Sequence, residues 1–357
     1  MTNLYEPTNL GELSLQNRIV MAPMTRSRAI GNVPNELMAE YYGQRSGAGL
    51  IITEGTSPSP NGLGYARIPG AYSEAQFAGW KKVTDAVHER GGKIFLQIMH
   101  TGRVTHPLNQ PEGALHLAPS AVQLSGKMYT DAEGEQPYPE PKAMDAEAVA
   151  HAIQEYADSA KGAVAAGFDG VELHAANGYL IDQFLHPQTN QRDDSYGGDA
   201  ARRNAFALEV AKAVTDTVGA GRVGIRLSPY GVFNDLGAFD GIDDQFTSLA
   251  KALGELGLVY LHMVDHQAMG APEVPDRIKS SMREAFQGAY IASGGFDAAR
   301  AEAIVADGQA DLVAFGRPFL ANPDLPRRLK EGLALNDLRP DLFYTPGAEG
   351  YTDYPLA

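Results

Sequence analysis

Eight short apolar runs rich in valine, isoleucine and leucine recur along the whole chain, at residues 18–22, 50–53, 93–97, 170–173, 223–227, 259–263, 289–292 and 312–315. Runs of this length and composition are strands. Between them lie amphipathic stretches with helical spacing, at 73–90, 145–166, 203–218, 243–256, 297–307 and 323–331. Strands alternating with helices imply a parallel sheet, because parallel neighbours need a long crossover that a helix supplies. Eight such units close as a (β/α)8 TIM barrel, an α/β fold. The rival is an open doubly wound sheet, which usually carries a Gly-x-Gly-x-x-Gly turn after its first strand, whereas that turn here reads Pro23-Met-Thr-Arg-Ser-Arg28. The internal period accounts for residues 1–357 as a single domain. One excursion, residues 101–144, is too long for a simple connection and reads as a hairpin or lid over the barrel mouth.

Composition narrows the function. Lys and Arg number 29 against 44 Asp and Glu, giving a formal charge of −15. Such a surface repels phosphate backbones and anionic membranes, so neither nucleic acid nor membrane is an expected partner. The chain has no cysteine, which excludes disulfides, thiolate nucleophiles and cysteine-ligated iron–sulfur or zinc centres. No basic segment followed by an apolar core opens the sequence and no long apolar run interrupts it, so a cytoplasmic location is expected.

In a barrel of this kind the chemistry sits where strands end, with a phosphate site often built after strands seven and eight. The fourth strand runs into His174-Ala-Ala-Asn177-Gly-Tyr179. An imidazole and a carboxamide can share charge developing on a substrate oxygen, and a phenol can deliver a proton beside it. Strands seven and eight end in Ser293-Gly294-Gly295-Phe296 and Phe315-Gly316-Arg317-Pro318. Glycines let backbone N–H groups approach phosphate oxygens, and Arg317 adds a planar fork of donors. Thr25, Gln97 and Arg226 lie at other strand ends and together suit the edge of a flat heterocycle. On residue type alone, Thr25 could equally cap a turn, Gln97 satisfy backbone and Arg226 pair with Glu172. His262 and His266 are four apart in a strand-to-loop segment without an evident third ligand, a poor basis for a metal site. His100, His106 and His116 are scattered around the excursion.

The segments at 17–26, 174–185, 189–198, 315–323 and 347–355 together carry a resemblance. The chain resembles the Old Yellow Enzyme family of FMN-dependent NAD(P)H ene-reductases, the group that includes N-ethylmaleimide reductase, over residues 4–355. The resemblance implies non-covalent FMN at the barrel mouth and NADPH or NADH as reductant. It implies that Pro23, Met24, Thr25, Gly55, Gln97 and Arg226 meet the isoalloxazine, and that Gly294, Gly295, Gly316 and Arg317 hold its phosphate. His174 and Asn177 would bind the substrate oxygen, Tyr179 would donate the proton, and Tyr65, Met99 and Tyr351 would surround the substrate. The implied reaction passes hydride from flavin N5 to electron-poor alkenes such as enones, maleimides and nitroalkenes. Many relatives have tryptophan where this chain has Met99, so a flexible pocket wall is expected there. A monomer or weak homo-oligomer is expected. The alternative is a non-redox phosphate-binding barrel, a lyase or isomerase, for which a strand-end lysine would be wanted; none of the expected strands ends in one.

Overall fold

The computed structural model describes residues 3–357. Eight parallel strands form a closed barrel: β1 Ile19–Met21, β2 Leu50–Ile52, β3 Ile94–Ile98, β4 Gly170–Ala175, β5 Val223–Leu227, β6 Tyr260–Met263, β7 Ala289–Ser293 and β8 Leu312–Phe315. Every expected strand is present, most within one or two residues of its expected bounds.

Strand alternation divides the core in two. Ile19, Met21, Ile51, Leu96, Val171, Leu173, Ile225, Leu261 and Val313 face outward into one continuous cluster with the helices. Val20, Leu50, Ile52, Phe95, Tyr260, Ile291 and Leu312 face inward, joined from below by Leu10 and Leu15 of a hairpin, Thr8–Leu10 paired with Leu13–Leu15. At Gly224 any Cβ would enter the Tyr260 ring, so glycine is what lets that ring lie across the interior.

The long helices follow the expected pattern: Glu74–His88 opens with a Ser73–Gln76 capping box, and Asp145, Asp199 and Asp297 cap Ala146–Ala165, Ala200–Val218 and Ala298–Ala306. The helix expected at 323–331 is Leu325–Glu331, and a short helix, Arg317–Ala321, precedes it directly after β8. Two further helices, Glu36–Gln44 and Asp276–Phe286, follow β1 and β6.

The excursion at 101–144 holds an antiparallel hairpin, Lys127–Thr130 against Gly134–Pro137. It carries Val104, Leu124, Met128 and Tyr138 onto the backs of Tyr65 and Tyr179. The C-terminal segment is tied across the mouth by buried guanidinium groups. Arg26 Nη2 donates to Gly350 O at 2.7 Å, and Arg28 donates to the carbonyls of Leu342 (2.8 Å), Glu349 (3.1 Å) and Gly347 (3.2 Å). Replacing Arg28 with methionine strands several of these acceptors, each at a cost of about 1–3 kcal/mol with incomplete additivity. Arg28→Met is expected to lower stability by about 2–3 kcal/mol in urea unfolding and to open the C-terminal segment to trypsin. An unchanged midpoint and cleavage pattern would show that the clamp contributes nothing.

Candidate active site

The upper interior of the barrel is polar because the inward positions change character toward the strand ends. In register across three strands stand His174, Arg226 and His262. Below them Glu172 accepts from Gln97 Nε2 at 2.8 Å and from the Tyr260 hydroxyl at 3.1 Å, and lies 2.8 Å from His262 Nδ1. Burial alone would raise the Glu172 carboxyl, but His262, Arg226 and the Gln97 bond hold it below its ordinary value. The carboxylate is therefore ionised, and its oxygens are already engaged.

That leaves Arg226 without a direct partner. The side chain is 6% exposed, donates to no protein group among the described residues, and has its Nε fully buried. The alternative pairing of Arg226 with Glu172 is present as a through-space attraction, without a hydrogen bond between them. A buried cation held near a carboxylate, but not bonded to it, awaits an acceptor.

Above this floor lies a cavity of about 750 Å³ whose wall includes Pro23, Met24, Thr25, Tyr65, Asn177, Tyr179, Arg226, Gly294, Gly295, Gly316 and Arg317. Thr25 Oγ1 makes no hydrogen bond among the described residues. Nor do the backbone N–H groups of Gly294, Gly295 and Gly316 find protein acceptors there. A Cβ at Gly316 would meet only Met24 Sδ, at 3.7 Å, so protein packing does not require glycine at that point; the space is left for something else. Arg317 Nη2 reaches Ala268 O at 3.1 Å. Unpaired donors on one flank and an unpaired guanidinium at the centre match the acceptor edge and phosphate of a flavin mononucleotide.

His174 is neutral: burial first, then Arg226 and the neighbouring histidines, push its imidazole well below the usual range. Its Nδ1 accepts from Ala176 N at 3.3 Å, so Nε2 carries the proton, and that nitrogen is neither bonded to protein nor sealed from solvent. The ring meets Tyr179 edge-on at 4.8 Å. The Tyr179 hydroxyl lies 2.9 Å from that of Tyr65. Burial raises the Tyr179 phenol to about 12, against an opposing pull from the Tyr65 bond.

Several expected site residues are placed elsewhere. Tyr351 is fully buried and stacks on Tyr41 at 3.9 Å, with the Arg28 guanidinium 4.7 Å from its ring centre; it braces the C-terminal clamp and is absent from the cavity wall. Met99 is 1% exposed and packs with Leu63 and Ile68 behind Tyr65 and Tyr179. Gly55 lies against the Met99 side chain, where a Cβ would collide with the sulfur. Met99 thus supports the two tyrosines and does not itself form the open wall. Gln97 is 2% exposed on the floor, with its amide oxygen unclaimed by protein donors among the described residues.

The sequence does not single out Ser228 or Asn234, and it raises His266 only as a metal ligand. Ser228 and Asn234 hold the backbone of Asn177, and His266 Nε2 lies 3.0 Å from Asn177 Oδ1. His262 and His266 have separate surroundings, the first sealed on Glu172 and the second on the cavity wall. Phe343 and Tyr344 of the C-terminal segment complete the rim. The position of His266 shortly after the end of β6 was the available signal.

The model of the NADH:flavin oxidoreductase / NADH oxidase family matches residues 3–336. The chain belongs to that family. It is 42% identical over 359 residues to a probable flavin mononucleotide-dependent alkene reductase of Leishmania infantum, covering 99% of this chain and 97% of the relative. Among solved structures, morphinone reductase in complex with tetrahydroNAD superposes with a TM-score of 0.94 at 44% identity, covering 100% of this chain and 98% of the other. The Old Yellow Enzyme homologue from Zymomonas mobilis does so with a TM-score of 0.94 at 39% identity, over 99% and 100%. The protein is accordingly an FMN-dependent, nicotinamide-driven oxidoreductase of the Old Yellow Enzyme type, built on a (β/α)8 barrel. Among the described residues no helix is long and apolar enough to cross a membrane.

Proposed function

We propose that the enzyme reduces carbon–carbon double bonds activated by a carbonyl or nitro group, among them enones, maleimides and nitroalkenes. The observation that carries this reading is the meeting of a neutral Nε2–H donor at His174, a carboxamide at Asn177 and a phenol at Tyr179 beside an unpaired Arg226. Bound FMN, recharged by NADH or NADPH, supplies the hydride for the β-carbon. Thr25, Gln97 and Arg226 are disposed to hold its ring edge, and Gly294, Gly295, Gly316 and Arg317 its phosphate. His174 and Asn177 bind the substrate oxygen and draw electron density from the alkene. Tyr179 gives its proton to the α-carbon, and Tyr65, 2.9 Å away, donates a hydrogen bond to the resulting phenolate until solvent returns the proton on product release. Residues 101–144, packed behind both tyrosines, act as a lid that keeps water from the pair.

The purified protein should be yellow, bleach with NAD(P)H under anaerobic conditions and regain its colour on addition of 2-cyclohexen-1-one. Failure of the enone to restore the colour would remove the proposed substrate class. His174→Ala should retain FMN but weaken binding of a phenol, read from perturbation of the flavin spectrum, by about 1.5–3 kcal/mol for loss of a bond to a charged oxygen. An unaltered titration would take His174 out of the oxygen site.

A further inference from the structure

Asn177 is held at three points. Its amide N donates to Ser228 Oγ at 2.8 Å, its carbonyl accepts from Asn234 Nδ2 at 2.7 Å, and its side-chain oxygen faces His266 Nε2 at 3.0 Å. The first two contacts fix the backbone, which adopts the left-handed conformation with φ of 59°, tolerated by asparagine better than by most residues. They do not decide which end of the carboxamide looks into the cavity. Oxygen and nitrogen are nearly equal in size, so only hydrogen bonding separates the two orientations. With oxygen inward, Asn177 would oppose a substrate oxygen; with Nδ2 inward, it would donate to it.

His266 belongs to the loop after β6, on the cavity wall, its ring edge-on to Phe233 at 4.7 Å. No hydrogen bond from Asn177 Nδ2 to protein occurs among the described residues, so the nitrogen left over by the His266 contact is free for a ligand. We infer that His266 is a positioning residue, which donates its Nε2 proton to Asn177 Oδ1 and thereby turns Asn177 Nδ2 toward the substrate oxygen. The inference rests on the reading of Asn177 as an oxygen-binding donor. Burial first, with Arg226 next, lowers the His266 imidazole to about 4 despite the opposing Asp265. Near neutral pH the ring therefore has one proton, and a ring nitrogen facing a carbonyl oxygen must be the one that carries it. The other tautomer would set lone pair against lone pair and favour the flipped amide.

The test uses FMN-loaded enzyme and 4-chlorophenol, titrated by its effect on the flavin spectrum. His266→Leu, which keeps bulk and loses the donor, should raise the Kd roughly tenfold or more, as removal of an aligned donor to a charged oxygen would. His266→Gln, which can still donate, should stay within about threefold of wild type. Asn177→Ala should weaken binding by itself, and adding His266→Leu to it should change the Kd less than about twofold, because the two residues act through one bond. Unchanged binding in Asn177→Ala would overturn the oxygen-site reading and this inference together. Weakened binding in Asn177→Ala with unchanged binding in His266→Leu would overturn the inference alone, as would equal losses from His266→Leu in both backgrounds. FMN content of each variant checks folding, and His266→Ala carries the same comparison should His266→Leu fail to fold.

Discussion

Tyr179→Phe should slow alkene reduction by roughly 10²–10⁴-fold, the range expected for loss of a positioned general acid, while reduction of the bound flavin by NAD(P)H changes little. The substitution keeps the ring that meets His174 edge-on at 4.8 Å and removes only the hydroxyl paired with Tyr65. Stopped-flow measurement of the two half-reactions separates the effects, and equal slowing of both would make Tyr179 a positional group and not an acid. Nitroalkenes should suffer less than enones, because a nitronate survives without immediate protonation. The phenol is raised to about 12, chiefly by burial, so it stays protonated across the neutral range. The wild-type rate of enone reduction should therefore be nearly flat from about pH 6 to 10 as far as this group is concerned. A fall with an apparent pKa near 8 would assign the proton to another residue.

Arg226→Met should weaken FMN binding by about 3–5 kcal/mol while destabilising the apoprotein by less than that. Two effects compete in the apoprotein. Burial opposes the Arg226 charge and lowers its pKa, and Glu172 offsets this only from a distance. Removing the cation costs Glu172 a long-range attraction but leaves its contacts with Gln97, Tyr260 and His262 intact. Replacing the buried charge by an apolar chain of similar length recovers its desolvation cost but leaves Glu172 less well compensated, so the net loss of folding stability is smaller than the loss of flavin affinity. With an electron-rich ring edge beside it, the same charge has an acceptor, and its loss is felt in full. Urea unfolding of the apoprotein and fluorescence titration with FMN measure the two terms. A strongly destabilised apoprotein with unaltered flavin affinity would show that Arg226 serves the barrel and not the cofactor.

The contrast between Met99 and His266 shows where reading along the chain loses its power. Met99 follows Gln97 at the end of β3, and period-two alternation places both on the interior side. Alternation says nothing about what lies above them, and Tyr65 and Tyr179 cover Met99, leaving it 1% exposed. His266 sits in a loop without periodicity, and its partner Asn177 is 89 residues away. Tyr351 was assigned to the pocket from its place in a C-terminal motif, but that segment is turned by Arg26 and Arg28 so that its Tyr351 ring stacks on Tyr41 while Phe343 and Tyr344 reach the rim.

What the sequence by itself determined was the barrel and the chemical types at its mouth. Eight apolar runs separated by helical stretches leave few closures open, and strand register then carries His174, Arg226 and His262 into one row. Its limit is visible in two helices. Asp276–Phe286 buries only Ile278, Met282 and Phe286, a stripe too thin to stand out in a polar stretch. Glu36–Gln44 buries two tyrosines among its apolar positions, residues of weak helical preference. The tertiary structure decided which polar groups are satisfied within the protein and which are left facing the cavity. Glu172 is engaged by Gln97, Tyr260 and His262, while Arg226 makes no hydrogen bond among the described residues; Asn177 gives its oxygen to His266, so its nitrogen stays free. Those outcomes depend on hydrogen bonds between strands and loops far apart in the chain, whose geometry exists only once the barrel has closed.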